Sequence, residues 1–321
     1  MPIEPLRCGF LLFDGFSNMV LASAIEPLRA ARDYAGAGTF GWRLASMDGG
    51  PVTSSSGLMI QPDGSLERME AVDVLFVVAG YGARDHARSA VIGALQRMER
   101  RVGRLGALDC GAWILAAAGL LDGHRATIHW QELDAFAETF LTVEAVSDRF
   151  VVDRRRISAG GATTVIDLML RMIGERGGNA LAYDVSNMFI YDVERALGRG
   201  RGAQNRSLEA RAPQLIRAIA EMRRTQEQPL SLERIAAAAA VSPRTLARLF
   251  ERELGMSPGR YYQNIRLATA RSLAEETSLT TSEIAARSGF ASASALSRAL
   301  GAHFGQSVRS FRAGRLRKSW G

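Results

Sequence analysis

The residues best placed to do chemistry lie at Asp109-Cys110-Gly111, directly after the short apolar run Leu105–Leu108. The pattern predicts a strand that turns sharply into a helix, which is the form of a nucleophile elbow. Such a turn exposes one side chain at a helix N-terminus, where a thiolate or a carboxylate is stabilised. His129 is a candidate base for this group. The set would therefore support nucleophilic chemistry.

The neighbouring loop carries Gly80 and Gly82, whose backbone N–H groups are candidates for holding an oxyanion. Each candidate also has a structural interpretation. A cysteine in an apolar segment is more often a small buried hydrophobe than a nucleophile. A histidine beside a tryptophan, here Trp130, is more often packed and hydrogen-bonded than catalytic, and Asp109 can simply cap its own helix. Both interpretations stay open at this point.

A residue pattern that suits nucleic-acid recognition occurs twice in the last third of the chain. A shift of fifty positions superimposes one short pattern on another, which is an internal repeat. The matched positions are Ser242, Leu246, Arg248, Leu254, Gly255, Ser257 and Tyr261 on Ser292, Leu296, Arg298, Phe304, Gly305, Ser307 and Phe311.

Upstream of each copy lies a shorter segment, Ser231–Ala240 or Thr280–Arg287, and these two match at a shift of forty-nine. The one-residue difference falls at Gly289–Phe290, in a turn. Each copy therefore predicts a short helix, a tight turn and a second helix. Helix starts are marked by an N-cap followed by proline (Ser242, Pro243) and by a capping box (Thr280, Glu283).

In the second helix of each copy, apolar residues recur at three- and four-residue spacing, which leaves small residues and arginine on the other face. A face of this kind suits a helix in a DNA major groove, because arginine binds guanine bidentately and short side chains permit close approach. The alternative is an ordinary helical bundle with a solvated basic face. The candidate base-reading residues are Arg244, Thr245, Ala247 and Arg248 in the first copy, and Ser294, Ala295, Ser297 and Arg298 in the second.

The elements that must position the elbow alternate between apolar strands and amphipathic helices. This alternation predicts an α/β domain with a parallel sheet covered on both faces. Ligands bind such sheets at the carboxyl ends of the strands, here the loops Asp14–Ser17, Ala79–Gly82 and Asp109–Gly111. The predicted strands are Leu6–Phe13, Trp42–Met47, Val72–Val78, Leu105–Leu108 and Phe150–Ser158, and the helices are Met19–Arg32, Ala90–Val102, Cys110–Gly119 and Ala162–Gly174.

Charge divides the 321 residues into two parts. Residues 1–200 carry a net charge of −4, whereas residues 201–321 carry 20 Arg and Lys against 9 Glu, a net charge of +11. A local excess of positive charge of this size is typical of proteins that bind phosphate groups, although binding to a membrane surface or to an acidic protein would give the same excess. No basic amphipathic helix with an aromatic face favours lipid.

Two cysteines are too few for a disulfide framework, and the four scattered histidines give little support for a metal site. No signal peptide and no membrane-spanning run is evident, so we expect a soluble, cytoplasmic protein. We expect neither a metal nor a cofactor.

The last hundred residues resemble the DNA-binding domain of the AraC/XylS family of transcriptional regulators. This resemblance implies two helix-turn-helix units joined by a long helix, here about residues 259–277, with recognition helices in successive major grooves. The motifs that carry it are Pro229-Leu-Ser-Leu-Glu-Arg-Ile-Ala, Ser242-Pro-Arg-Thr-Leu-Ala-Arg-Leu-Phe, Leu254-Gly-Met-Ser-Pro and Ile284-Ala-Ala-Arg-Ser-Gly-Phe.

The first two hundred residues resemble the class I glutamine amidotransferase-like, or ThiJ/PfpI, domain of the GlxA-like subgroup of these regulators. The resemblance implies a flavodoxin-like fold and a homodimer. It rests on Phe13-Asp-Gly-Phe, Glu26-Pro-Leu, Gly111-Ala, Ala118-Gly-Leu-Leu-Asp-Gly, Arg125-Ala-Thr-Ile-His-Trp and Ala159-Gly-Gly-Ala.

The chain departs from the catalytic members of that family at the elbow. Asp109 stands where they carry cysteine, Cys110 is displaced by one residue, and Val20 stands where the acidic partner is expected. Only His129 is retained. Because a shift of one residue at a strained turn redirects the side chain, we expect no thiol catalysis and interpret the pocket as an effector site.

Relatives in this subgroup are associated with catabolism of amino acids and quaternary amines such as arginine, carnitine and glycine betaine. We therefore expect Asp109, together with Trp113 or Trp130, to meet a cationic nitrogen by charge pairing or cation–π contact. The full set of expected ligand-binding residues is Asp14, Phe16, Gly80, Tyr81, Asp109, Cys110, Trp113, His129 and Trp130.

The predicted organisation is a sensor domain over 1–196, a linker over 197–211 and an all-α double helix-turn-helix domain over 212–321. We expect a transcriptional regulator that binds promoter DNA under the control of a metabolite. We expect it to act as an activator that contacts RNA polymerase. The alternatives are a cysteine-dependent hydrolase or hydratase tethered to DNA, and an architectural nucleic-acid binder. The latter is disfavoured, because alanine and serine on the outer face suit base contacts better than intercalating wedges.

Overall fold

The computed structural model describes residues 5–36, 38–189 and 212–312. The chain forms two compact units, one of residues 1–32 and 38–176, the other of residues 33–37 and 177–321. The predicted linker, 197–211, lies outside the described residues.

The first unit alternates strands with helices, as the sequence predicts. Its strands are β1 (Leu6–Leu12), β2 (Phe40–Ser46), β3 (Val52–Thr53), β4 (Met59–Ile60), β5 (Gly64–Ser65), β6 (Val74–Ala79), β7 (Arg104–Asp109), β8 (Arg125–Ala126), β9 (Glu144–Ala145), β10 (Phe150–Asp153) and β11 (Arg156–Ala159). Its helices are α1 (Asn18–Ala35), α2 (Ala83–His86), α3 (Ser89–Glu99), α4 (Gly111–Ala117), α5 (Leu133–Thr139) and α6 (Ala162–Gly177).

Seven of these strands form one sheet in the order β10-β11-β7-β6-β1-β2-β5. All neighbours pair in parallel except β10 and β11. The central strands β2-β1-β6-β7-β11 follow the flavodoxin-like order, so the predicted fold class is confirmed. The prediction of one strand over Phe150–Ser158 is wrong: the segment is a hairpin, because Arg154 adopts φ 52° and turns the chain back on itself.

The sheet is buried on both faces, which explains its continuous apolar strands. All six residues of β6 are buried, and Phe76 on this strand stacks on Phe10 of β1 with ring centroids 5.4 Å apart. In register, Ala79 at the end of β6 lies beside Asp109 at the end of β7. This register brings the loops that follow the two strands to the same edge of the sheet.

The second unit is helical. Its described helices are α7 (Asn179–Met188), α8 (Pro213–Arg224), α9 (Leu232–Ala238), α10 (Pro243–Leu254), α11 (Pro258–Glu276), α12 (Thr281–Arg287) and α13 (Ala293–Phe304). The helix pairs α9–α10 and α12–α13 are the two copies of the sequence repeat, and α11 is the predicted long helix between them.

Helix α7 packs in this second unit, although it precedes the predicted linker in the chain. Ala180 belongs to the same apolar cluster as Leu246 and Phe250 of α10, and Asn179 donates to the Glu253 carbonyl at 3.2 Å. The Asp184 carboxylate accepts from Tyr261 Oη at 2.7 Å and from Arg223 Nη2 at 2.9 Å. The first copy is thereby built on α7 and α8 as well as on its own helices.

Candidate functional site

The loops predicted to hold a ligand do meet at the carboxyl edge of the sheet. The Cys110 N–H donates to the Ala79 carbonyl at 2.9 Å. A Cβ atom added at Gly80 would lie 2.5 Å from the Gly15 carbonyl oxygen, so only glycine permits this close approach. The first two loops are therefore packed against each other.

The turn after β7 has the geometry of an elbow. Asp109 adopts φ 61°, in the left-handed region that aspartate tolerates better than most residues. Gly111 opens α4 directly against β6, where an added Cβ atom would lie 2.2 Å from the Val77 carbonyl oxygen. Strand β7 therefore passes abruptly into α4 at this point.

A cavity of about 160 Å³ lies beside the elbow. It contains five of the nine residues predicted to bind a ligand: Gly80, Tyr81, Cys110, Trp113 and His129. The sequence did not single out the remaining lining residues, which are Gly82, Ala83, Arg84, Asp85, Gln131 and Glu132, except for Gly82 as an oxyanion donor.

The other four predicted residues are not on the cavity wall. The Asp14 carboxylate accepts from the Thr53 N–H at 2.8 Å and so joins its loop to β3, and Phe16 is fully buried in the core. Trp130 is 74% exposed, whereas Asp109 is 8% exposed. Burial raises the pKa of the Asp109 carboxyl to about 6, against a smaller opposing effect of His129.

Cys110 lines the cavity but is not activated. Its Sγ donates to Asp109 Oδ1 at 3.8 Å. Burial, followed by the nearby carboxylates of Asp109 and Glu132, raises the pKa of the thiol well above its ordinary value. A thiol in this environment stays protonated at neutral pH and is a poor nucleophile.

His129 is half-buried at the cavity wall. Its backbone N–H donates to the Asp109 carbonyl at 3.3 Å, and its Nδ1 accepts from the Gln131 N–H at 3.4 Å. Among the described residues, no hydrogen bond joins His129 to Cys110, so the pair is not arranged as a nucleophile and its base.

Arg84 is one of the lining residues that sequence reasoning missed, and it makes the closest charged contacts at the cavity. Its guanidinium carbon lies 4.0 Å from the centroid of the Trp113 ring, and its Nη2 lies 2.7 Å from Glu132 Oε2. The only signal in the sequence was its position directly after the Gly80–Gly82 loop. Within the described residues, no group of three or more His, Cys, Asp or Glu is placed to hold a metal ion.

The two helix-turn-helix copies confirm the predicted capping. In the first copy Ser242 caps α10 with Pro243 at the first helical position, and its Oγ accepts from the Thr245 N–H at 3.1 Å. In the second copy Thr280 and Glu283 form the predicted capping box. The two copies have helices of equal length, seven residues in α9 and α12 and twelve in α10 and α13.

The faces predicted to read DNA are accessible in both copies. Leu246 and Leu296 are buried at matched positions, and Arg248 and Arg298 are exposed at matched positions. Arg244, Ala247, Ser294 and Ser297 are also exposed, and Thr245 and Ala295 are half-buried beside the N-caps. Among the described residues, Arg244, Arg248 and Arg298 form no ion pair with a carboxylate, so their charges are available to a ligand.

The part of the chain that the structure describes contains no helix long and apolar enough to cross a membrane.

Residues 7–175 match the DJ-1/PfpI family, and residues 235–314 match a helix-turn-helix domain family. The HTH-type transcriptional regulator GbdR of Pseudomonas aeruginosa is 38% identical over 312 residues, which cover 97% of this chain and 85% of GbdR. The HTH-type transcriptional regulator GlxA of Rhizobium meliloti is 37% identical over 308 residues, 95% of each chain.

Two further matches cover little more than half of this chain. An isonitrile hydratase of Pseudomonas putida is 32% identical over 176 residues, which cover 54% of this chain and 73% of the hydratase. The crystal structure of an AraC family transcriptional regulator from Pseudomonas putida covers 58% of this chain and all of that chain, with 27% identity and a TM-score of 0.50. GbdR and GlxA, which match nearly the whole of this chain, are both named as transcriptional regulators. The chain therefore belongs to the GlxA-like helix-turn-helix transcriptional regulators, which join a DJ-1/PfpI domain to an AraC-type DNA-binding domain.

Proposed function

We propose that this protein reads two separate segments of promoter DNA with α10 and α13 and that a small metabolite bound beside the elbow controls this binding. The observation that carries the proposal is the pair of matched arginines, Arg248 and Arg298, both exposed and free of a carboxylate partner among the described residues. An exposed arginine without a carboxylate partner is able to donate two hydrogen bonds to the edge of a guanine in the major groove. The other base-reading residues that we propose are Arg244, Thr245, Ala247, Ser294, Ala295 and Ser297.

The elbow supports a regulatory cavity better than a catalytic one. A thiol nucleophile needs a lowered pKa, and the pKa of Cys110 is raised. The cavity is nevertheless lined by the aromatic residues Trp113 and Tyr81 and by the charged residues Arg84, Asp85 and Glu132. We propose that the metabolite is an amino acid or an amine whose cationic nitrogen binds there.

The ligand must favour one arrangement of the protein over another, because equal affinity for both would shift nothing. We propose that the regulated species is a homodimer in the cytoplasm and that it activates transcription through RNA polymerase.

Selection of bound DNA from a random duplex library by the whole protein, at near-physiological salt, tests the regulator. We expect two short motifs about one helical turn apart, because two recognition helices on one side of the duplex meet the groove at that spacing. If the protein enriches no sequence and its binding falls steeply with salt, it holds DNA without reading it, and the proposal fails.

A second candidate function is cysteine-dependent hydrolysis or hydration in the first unit. The observation that favours it is the 32% identity to an isonitrile hydratase. The rate of Cys110 alkylation distinguishes the two functions. We expect slow alkylation near neutral pH, no faster than that of a free thiol, whereas fast thiolate-like reaction would support the enzyme.

A further inference from the structure

The aromatic wall of the elbow cavity is already in contact with a cation. Trp113 is 7% exposed, and the guanidinium of Arg84 lies over its ring, 4.0 Å from the centroid. This distance is well within the range of an attractive cation–π contact. The chain's own arginine therefore occupies the face of Trp113 that a cationic ligand would use.

Arg84 is held there by contacts that are easy to break. Its ion pair with Glu132 joins side chains that are 53% and 34% exposed. Exposed pairs of this kind contribute little to stability, because water screens them and two long side chains must be ordered. Helix α2, which carries Arg84, has only four residues. A ligand can therefore displace the guanidinium without unfolding a large element.

Displacement would leave a site with the charge that a cation prefers. Two acidic residues, Asp85 and Glu132, line the cavity. Arg84 is the only arginine or lysine among the described residues that line the cavity, so its movement away would leave these two acidic residues and the Trp113 ring to a ligand.

We propose that Arg84 is a built-in occupant of a cation site, and that a ligand bearing a cationic nitrogen binds by replacing its guanidinium on Trp113. This inference rests on the proposed regulatory role of the cavity. It adds that Arg84 sets the affinity of the cavity for a cationic ligand. The ligand must compete with the Arg84 guanidinium, which is attached to the same chain. Cations with low affinity for the site are therefore excluded. Arg84 is thus a specificity-determining residue.

Calorimetric titration of the whole protein with tetramethylammonium chloride tests the proposal, since this probe carries a cation and no other recognition group. Arg84→Gln removes the competitor, and we expect it to bind the probe roughly threefold to tenfold more tightly than the wild type. By the relation between affinity and free energy, this factor corresponds to about 0.7–1.4 kcal/mol. Arg84→Lys retains a competing cation and should return the affinity towards the wild-type value.

Arg88→Gln is the matched control. Arg88 is an exposed arginine four residues further along whose Nε donates to the Asp85 carbonyl, and it does not lie on the cavity wall. We expect the wild-type affinity in this variant. Equal affinity in Arg84→Gln and Arg88→Gln, weaker binding in Arg84→Gln, or no binding of the probe in any variant would overturn the inference.

A separate measurement distinguishes this inference from the regulatory proposal. If Arg84→Gln gains affinity for the probe while DNA binding does not respond to any cation, the cation site exists but the cavity does not regulate. If the protein selects a DNA sequence but Arg84→Gln gains nothing, the regulator stands and only the role of Arg84 falls.

Discussion

The two helix-turn-helix copies share their helix lengths and the left-handed glycines that end their second helices, Gly255 and Gly305, both at φ 68°. They differ in the turn between the helices. The first copy places Ala240 at φ 57°, and the second copy places Gly289 at φ 72°. Repetition therefore preserved the backbone while the side chains at the same backbone positions changed.

The copies differ again in what surrounds them. Tyr261, after the first copy, is fully buried and donates to Asp184 of α7, whereas its counterpart Phe311 is buried in an apolar cluster. On the outer face, Arg244 of the first copy corresponds to Ser294 of the second. The comparison teaches that the shared pattern specifies the fold of each copy, while the differences record what each copy packs against and contacts.

The largest effect is expected in the turn of the second copy. An added Cβ atom at Gly289 would lie 2.1 Å from the Gln226 carbonyl oxygen and 2.6 Å from Pro229 Cγ. Gly289→Ala should therefore lower the free energy of unfolding by about 3 kcal/mol or more, from overpacking and the left-handed backbone together. Urea denaturation would measure the change, and Gly301→Ala, at a site with open space, is the control. A loss below about 1 kcal/mol would mean that the two turns are equivalent.

An intermediate effect is expected from making the first copy resemble the second at Tyr261. Tyr261→Phe leaves the Asp184 carboxylate with the Arg223 bond alone, and loss of one partner of a buried carboxylate costs about 1–3 kcal/mol. Burial already raises the pKa of Asp184 in the folded state, and removal of the hydroxyl should raise it further.

The pH dependence of this variant has a definite sign. A carboxyl with a raised folded-state pKa binds its proton more tightly in the folded than in the unfolded protein, so stability falls as the pH rises through that range. The cost of Tyr261→Phe should therefore be smaller at a pH near the ordinary pKa of aspartate than at neutral pH. Thermal unfolding at several pH values would measure it, and a pH-independent cost would mean that Asp184 is not charged in the cluster.

A smaller effect of the opposite sign is expected from making the first turn resemble the second. Ala240 pays a steric cost in the left-handed region that glycine avoids, although glycine loses more entropy on folding. Ala240→Gly should raise the free energy of unfolding by about 0.5–1 kcal/mol, measured by urea denaturation. Destabilisation would show that the Ala240 side chain is needed for packing.

The smallest effect is expected on the outer face. Ser294→Arg gives the second copy the charge that Arg244 gives the first. The added positive charge next to the DNA should release further counterions and steepen the slope of log affinity against log salt concentration by up to about 0.9. Fluorescence anisotropy over a salt series would measure it, with Ser294→Gln as the uncharged control. An unchanged slope would mean that position 294 faces away from the DNA.

Local signals in the sequence were sufficient to predict the helix-turn-helix copies. Ser242, Pro243, Thr280 and Glu283 set their helix ends through contacts within one turn, so the caps are confirmed at the residues predicted. The order of strands and helices was also readable, because buried strands and amphipathic helices have distinct periods. The hairpin at Arg154 was missed, since a left-handed arginine has no sequence signature.

The sequence predicted where the cavity lies but not which side chains line it. The ends of parallel strands located the loops, but which side chain lines the cavity depends on the direction of each Cα–Cβ bond. The elbow therefore brings Cys110 to the wall and leaves Asp109 off it. The contacts of Arg84 with Trp113 and of Tyr261 with Asp184 join residues far apart in sequence, so no local pattern announced them.

The most direct test of the account is the DNA selection repeated with Arg248→Ala and with Arg298→Ala in the whole protein. If each copy reads its own groove, each variant should lose specificity at one base position, and the two positions should lie about one helical turn apart. Each loss should amount to about 1–3 kcal/mol of discrimination. Loss of specificity at the same position in both variants, or uniform weakening across all sequences, would contradict the claim that the two copies read separate segments of DNA.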